Sequence, residues 1–242
     1  MRALLVLPTY DEAENLVDVL DRVRAATPDT HVLVVDDDSP DGTADLAEAH
    51  GAVVGGVDVL RRPAKSGLGS AYRDGFRWGL ERGYDVLLEM DSDLSHDPAA
   101  LPSLLGAIEH GADLVIGSRY VPGGSIPSWS WHRRWLSRWG NRYAAGVLGL
   151  AVNDATAGFR AYRASMLGRI DLDAVVADGY GFQIEMTYAV VRRQGKVVEV
   201  PIAFSDRVRG TSKMSGRIVV EALVLVTWWG LRDRLLRRRP TA

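Results

Sequence analysis

Two carboxylates, Asp91 and Asp93, stand one residue apart just after the apolar run Val86-Leu87-Leu88. Acids this close repel, and they stay ionised comfortably only with a cation between or near them. Hard oxygen ligands suit Mg²⁺ or Mn²⁺, ions that keep part of their shell for water and substrate phosphates. The pattern therefore points to a metal–diphosphate site. The bland alternative is a solvated acidic loop in which Asp97, before Pro98, caps the next helix. A second acid run, Asp36-Asp37-Asp38, ends another apolar stretch. It is either solvent-facing or offers acceptors to the donors of a nucleotide base and ribose. Residues 65–69, KSGLG, could cradle a phosphate on backbone amides or simply form a flexible turn. Arg119, Arg207 and Lys213 lie in separate loops. With two acids and a metal, such cations would form a clamp on a departing diphosphate.

These groups need a scaffold that brings them together. Short apolar strands are expected at residues 3–7, 31–35, 57–60, 85–90 and 113–117, with helical spacing between them. This alternation predicts βαβ units and a mostly parallel sheet, an α/β fold. Polar motifs follow strands one, two, four and five, so all would lie at the carboxyl edge, where open α/β sheets bind ligands. Residues 121–130 carry Pro122, Gly123, Gly124 and Pro127 and read as a mobile loop, a candidate lid. Helices are expected at 132–150, from 179 onward and at about 218–238, with strand structure near 154–162 and 197–204.

Of 242 residues, 47% are hydrophobic and 25% charged, enough for a sizeable core. The net charge of −2 gives no reason to expect nucleic acid. There are no cysteines, which excludes disulfides and thiolate metal sites. No apolar run reaches the length of a membrane span, and the N-terminal run is too short for a signal peptide. Six of seven tryptophans fall within 129–139 and 228–229. Arg134, Arg138 and Arg142 share a helix face beside Trp135 and Trp139, and the last apolar helix runs into Arg232, Arg234, Arg237, Arg238 and Arg239. Tryptophan and arginine at helix ends suit an anionic membrane surface; the competing reading is a core helix and dimer seam.

In order, the stretches LPTYDEAENL, VVDDDSPDGT, GLGSAYRDGF, MDSDLSHDP, GSRYVPGG, TAGFRAYR, GYGFQIEM and EVPIAFSDRVRGTSKM, with the helix carrying Arg133, Ser137 and Asn141, cover most of residues 7–214. Together they resemble the polyprenol-phosphate (dolichol-phosphate) mannosyltransferases of glycosyltransferase family 2. The resemblance implies a GT-A fold, an Mg²⁺ or Mn²⁺ ion, GDP-mannose as donor and a polyprenyl monophosphate in the membrane as acceptor. It further implies that Pro8, Tyr10, Glu12, Val35 and Asp37 hold the guanosine end. Asp91, Asp93 and Ser95 would hold the metal, Ser92 would assist at the diphosphate, and Arg207 and Lys213 would contact the donor phosphates. Arg119, Arg133 and Ser137 would receive the acceptor phosphate, with Asp91, Asp93 and Arg119 as the catalytic set. Ser95 stands where some relatives carry a longer amide, and Asp38 where asparagine is common.

Residues 1–215 would form the GT-A domain, and 216–242 a membrane-interface helix with a basic tail, resembling the span-free type. That places the protein in the cytoplasm, peripheral on the inner face of the membrane, with room for a membrane-protein partner. Two alternatives are a polyprenyl-phosphate glucosyltransferase using UDP-glucose and a non-catalytic nucleotide-sugar binder.

Overall fold

The structure is a computed structural model that describes residues 1–206 and 216–237. Its seven strands are β1 (Ala3–Thr9), β2 (His31–Asp36), β3 (Val57–Arg61), β4 (Val86–Glu89), β5 (Leu114–Ser118), β6 (Arg160–Arg163) and β7 (Val197–Pro201). The helices are α1 (Ala13–Ala26), α2 (Thr43–Val54), α3 (Leu68–Glu81), α4 (Leu101–Glu109), α5 (Trp131–Leu148), α6 (Ala164–Leu167), α7 (Gly179–Arg192) and α8 (Gly216–Arg237). One sheet runs β3-β2-β1-β4-β6-β5-β7. Only β6 is antiparallel to its neighbours, and it separates β4 from β5. The expected alternation is present, and the carboxyl ends of β1, β2, β4 and β5 point the same way.

Two cores sandwich the sheet. Leu5, Leu7, Val32, Val34 and Leu88 face Leu16, Val19 and Leu20 of α1 and Leu101 and Leu104 of α4. Leu4, Val6, Leu33, Val35 and Leu87 face Tyr72 and Phe76 of α3 and Phe182 and Met186 of α7. Strands buried on both faces need no alternation, which is why they read as unbroken apolar runs. Helix α3 approaches closely because Gly75 and Gly79 face the sheet: a Cβ would stand 2.4 Å from Val6 Cγ1 at the first and 2.6 Å from Leu87 Cδ2 at the second. A third core joins α5, α7 and α8 through Ala144, Ile184, Tyr188, Val226 and Trp229. So α8 packs on the domain along one face, while Val220, Val224, Trp228 and Leu231 of the same helix are exposed. The expected boundary at 215/216 touches residues outside those described.

The segment read as a mobile loop is tied down. Ser125 N–H donates to Ile202 O, Phe204 N–H donates to Ser125 O, and Ile126 and Trp129 are buried. The proline and glycine content marked irregular backbone, and these long-range pairings hold it. The strand region at 197–204 is one strand, β7, followed by single bridges from Ala203 to Ser125 and from Phe204 to His96.

Candidate active site

Strand β4 ends at Glu89, and the chain then places Asp91, Ser92, Asp93, Ser95 and His96 at the carboxyl edge. Asp93 is buried and accepts a hydrogen bond from Ser95 N–H at 3.0 Å, whereas the Asp91 side chain is 31% exposed. Ser92 Oγ donates to Pro8 O at 3.0 Å, fixing this loop to the end of β1. Asp97 accepts from Ala99 N–H and caps the turn before α4, as its place before Pro98 implied.

His96 is buried against the rings of Phe159 and Phe204, with Nδ1 3.8 Å from Asp91 Oδ2. Burial drives its pKa down to about 4, despite the nearby Asp93 carboxylate. The imidazole is therefore neutral at neutral pH and forms no ion pair with Asp91. Beneath the pair lies Glu89, pushed up to about 8 by complete burial against the opposing pull of Arg160. Arg160 donates to the carbonyls of Ala155, Ala157 and Gln183, so its charge is spread over neutral acceptors as well as Glu89, 3.5 Å away.

Among the described residues, ten buried side-chain polar atoms lack a hydrogen-bond partner. Six belong to Tyr72, Glu89, Ser95, His96 and Gln183, all grouped around Asp91 and Asp93. Folded proteins leave few such atoms, so their concentration sets this corner of the sheet edge apart from the rest of the core. Among the described residues no three His, Cys, Asp or Glu side chains cluster as a self-sufficient metal site. Two carboxylates and the unpartnered Ser95 hydroxyl fit an ion whose remaining ligands come from substrate phosphate and water.

The residues expected at the nucleoside end follow β1 and β2, the first of which Ser92 ties to this loop. Pro8 and Val35 are paired across β1 and β2, and Asp37 N–H donates to Thr9 O. Lys65 Nζ lies 3.8 Å from the centre of the Tyr10 ring. Glu12 accepts from Asn15 Nδ2 at the start of α1. The Val35 side chain is buried under α3, and its backbone lies in a strand paired on both sides, opposite Pro8 of β1 and Leu60 of β3. Asp37 already accepts from Arg62 Nη1 at 2.5 Å and Ser66 N–H at 3.2 Å. Asp36 is a structural brace: its carboxylate accepts from the Thr9 hydroxyl and from both Ser39 N–H and Oγ. Asp41 accepts from Thr43 N–H and Ala13 N–H, joining the starts of α2 and α1.

The glycine-rich turn before α3 is filled from within. Asp178 accepts from Gly69 N–H at 2.6 Å, and a Cβ on Gly67, whose φ is +94°, would collide with the Asp178 carboxylate. The anion at this helix start is the protein's own Asp178 carboxylate, which takes the Gly69 amide. It locks α3 to the start of α7.

Arg119 follows β5. Its guanidinium donates to Asp154 through Nε at 2.7 Å and Nη2 at 2.6 Å, and to Thr156 Oγ1 at 2.9 Å. Burial works against both charges, yet each partner holds the other ionised: Asp154 stays below the usual carboxylate range and Arg119 above the usual guanidinium value. Nη1 is the nitrogen that none of these bonds uses. Trp129, grouped by sequence with the membrane tryptophans, is instead buried between the two predicted acceptor arginines. Arg133 lies 3.9 Å and Arg119 5.6 Å from its ring centre. Ser137 Oγ accepts from Tyr120 OH at 2.7 Å. Tyr180, in the first turn of α7, has its hydroxyl pKa raised by burial. The charges of Arg119 and Arg133 oppose that rise, and those of Asp91 and Asp154 add to it. Arg207 and Lys213 lie outside the described residues.

Sequence reasoning missed Asp154, Trp129, Tyr180, Glu89 and Gln183. Tyr180 and Gln183 lie in GYGFQIEM, but their placement follows from how α7 docks on the sheet. Asp154 carried no local signal, because its partner is 35 residues earlier.

A seven-stranded, mostly parallel sheet with a carboxylate pair past β4 and a cationic shelf beyond β5 defines a GT-A glycosyltransferase. The sequence model of Glycosyl transferase family 2 matches residues 4–171. An undecaprenyl-phosphate mannosyltransferase of Micrococcus luteus is 56% identical over 234 residues, 97% of this chain and 96% of that one. A polyprenol monophosphomannose synthase of Mycolicibacterium smegmatis is 52% identical, covering 98% and 90%. A dolichol-phosphate mannosyltransferase of Pyrococcus furiosus is 36% identical, covering 98% and 67%. Among solved structures, mannosyl-3-phosphoglycerate synthase from Rubrobacter xylanophilus superposes with a TM-score of 0.71 at 19% identity, covering all of this chain and 77% of that one. That likeness speaks for the fold alone. The chain belongs to glycosyltransferase family 2, and within it to the polyprenol-phosphate mannosyltransferases.

Proposed function

We propose that this protein transfers mannose from GDP-mannose to the phosphate of a polyprenyl monophosphate. One observation carries the reading: a carboxylate pair with unpartnered buried polar atoms around it shares a sheet edge with two arginines about one indole. Two anionic reactants need opposite treatment at one edge, and the site offers both. Asp91, Asp93 and Ser95 would hold a divalent ion, Mg²⁺ or Mn²⁺, which when bound supplies Lewis-acid stabilisation of the leaving diphosphate. Pro8, Tyr10, Glu12, Val35 and Asp37 would hold the nucleoside, Ser92 would assist at the donor, and Arg207 and Lys213 would pair with its phosphates. Arg133 and Nη1 of Arg119 would offset the acceptor charge, with Ser137 and Tyr120 beside them.

An acceptor phosphate is already ionised at neutral pH, so no general base is needed. Its oxygen attacks the anomeric carbon as the bond to GDP breaks, and GDP leaves with the electron pair. A single displacement inverts the anomeric centre.

The exposed Trp131, Trp135, Trp139 and Leu136 of α5, with Val220, Val224, Trp228 and Leu231 of α8, support a peripheral position on a membrane, whose inner face is the side we propose. Among the described residues no helix is long and apolar enough to cross a membrane. The test is transfer of labelled mannose from GDP-mannose to a short polyprenyl phosphate, with and without Mn²⁺. Label retained in the donor under both conditions, with folded protein, would refute the reading.

A further inference from the structure

Gln183, in the second turn of α7, is buried to 2% exposure, and both ends of its amide lack a hydrogen-bond partner. It lies near enough to Glu89 to lower that group's pKa slightly, but forms no well-shaped bond with it. The core does not explain it: Phe182 before it stacks on Tyr72, and Ile184 after it joins the α5–α7–α8 core. A buried amide left unsatisfied is costly, so its retention calls for a partner supplied on binding.

Gly158 shows where that partner fits. A Cβ built there would stand 3.6 Å from Gln183 Nε2 and 3.9 Å from each Asp91 carboxylate oxygen, with nothing closer. An amide donor and a carboxylate acceptor thus both border the open face of Gly158, each within 4 Å of one point.

We propose that this space is a hydroxyl-binding pocket, in which one O–H group donates to Asp91 and accepts from the Gln183 amide. The hydroxyl comes either from the sugar of the donor or from an ordered water that orients Asp91. Glycine at 158 keeps the pocket open, and Gln183 is a specificity residue in the first case and a positioning residue in the second. The inference rests on the glycosyl-transfer reading above, since Asp91 must face the bound donor.

The test compares wild type with Gly158→Ala, whose methyl meets only ordinary contacts but comes within 4 Å of both polar groups, and with Gln183→Leu. Binding of Mn²⁺, GDP and GDP-mannose is measured by calorimetry alongside turnover. If the sugar fills the pocket, GDP-mannose binding weakens by roughly 10- to 100-fold while GDP and Mn²⁺ binding hold, as expected for loss of one hydrogen bond to a charged group. If water fills it, Mn²⁺ and both nucleotides weaken together. Either variant, folded and binding all three as wild type does, overturns the pocket. Wild-type protein that binds but does not transfer mannose fails the parent reading instead, so the two failures are distinguishable. Should Gly158→Ala not fold, Gln183→Leu alone decides.

Discussion

Replacing Asp154 separates what holds Arg119 in place from what Arg119 does. Asp154 is fully buried and accepts from Arg119 N–H, Nε and Nη2. In Asp154→Leu those donors lose their acceptor while the guanidinium stays buried. Breaking one partner of a buried pair costs about 3–5 kcal/mol, roughly a 6–20 °C fall in Tm for a domain this size. The double variant Arg119→Met/Asp154→Leu removes both charges and leaves the backbone N–H of residue 119 unsatisfied, at about 1–3 kcal/mol, with the Thr156 hydroxyl losing the same acceptor. It should melt above the single variant. Turnover should not follow stability: with the cation gone, kcat/KM for polyprenyl phosphate should stay roughly 100-fold or more below wild type. A pH series adds an independent check. The folded pKa of Asp154 lies below its unfolded value, so its stabilisation is present above about pH 4 and is lost as pH falls through the folded value. The double variant should lack that part of the acid loss. Thermal melts and steady-state kinetics on the three proteins decide the matter. A double variant that recovers both wild-type melting and wild-type turnover would show that Arg119 is only a strut.

Asp93→Ala should lose several orders of magnitude in turnover and keep its fold, checked by circular dichroism; near-normal rates would remove it from the metal site. Arg133 is half-exposed, so Arg133→Ala should leave Tm within about 1 °C and raise the KM for lipid phosphate more than that for donor. The reverse pattern contradicts its assignment. Trp228→Ser with Leu231→Ser should reduce sedimentation with anionic vesicles without changing turnover on a soluble short-chain acceptor; unchanged sedimentation would place the membrane contact elsewhere.

The chain's own order of residues determined the class of fold. Strands buried on both faces must be continuous apolar runs, and short ones alternating with helices leave a parallel sheet as the simple solution. Because polar residues such as Asp37, Asp91 and Arg119 each follow a strand, the shared edge could be read without coordinates. The D-x-D pair was legible for the same reason: its chemistry depends on neighbours in sequence. Tertiary structure decided what depends on distant partners. The turn at 65–69 looked able to hold phosphate until Asp178, more than a hundred residues later, was found in it. Trp129 belonged by spacing to a membrane stripe, but packing set it between Arg119 and Arg133. Arg119 looked like a free cation until Asp154 appeared beneath it. A side chain's charge and shape are written locally, whereas what neutralises or buries it is supplied by whatever the fold brings alongside.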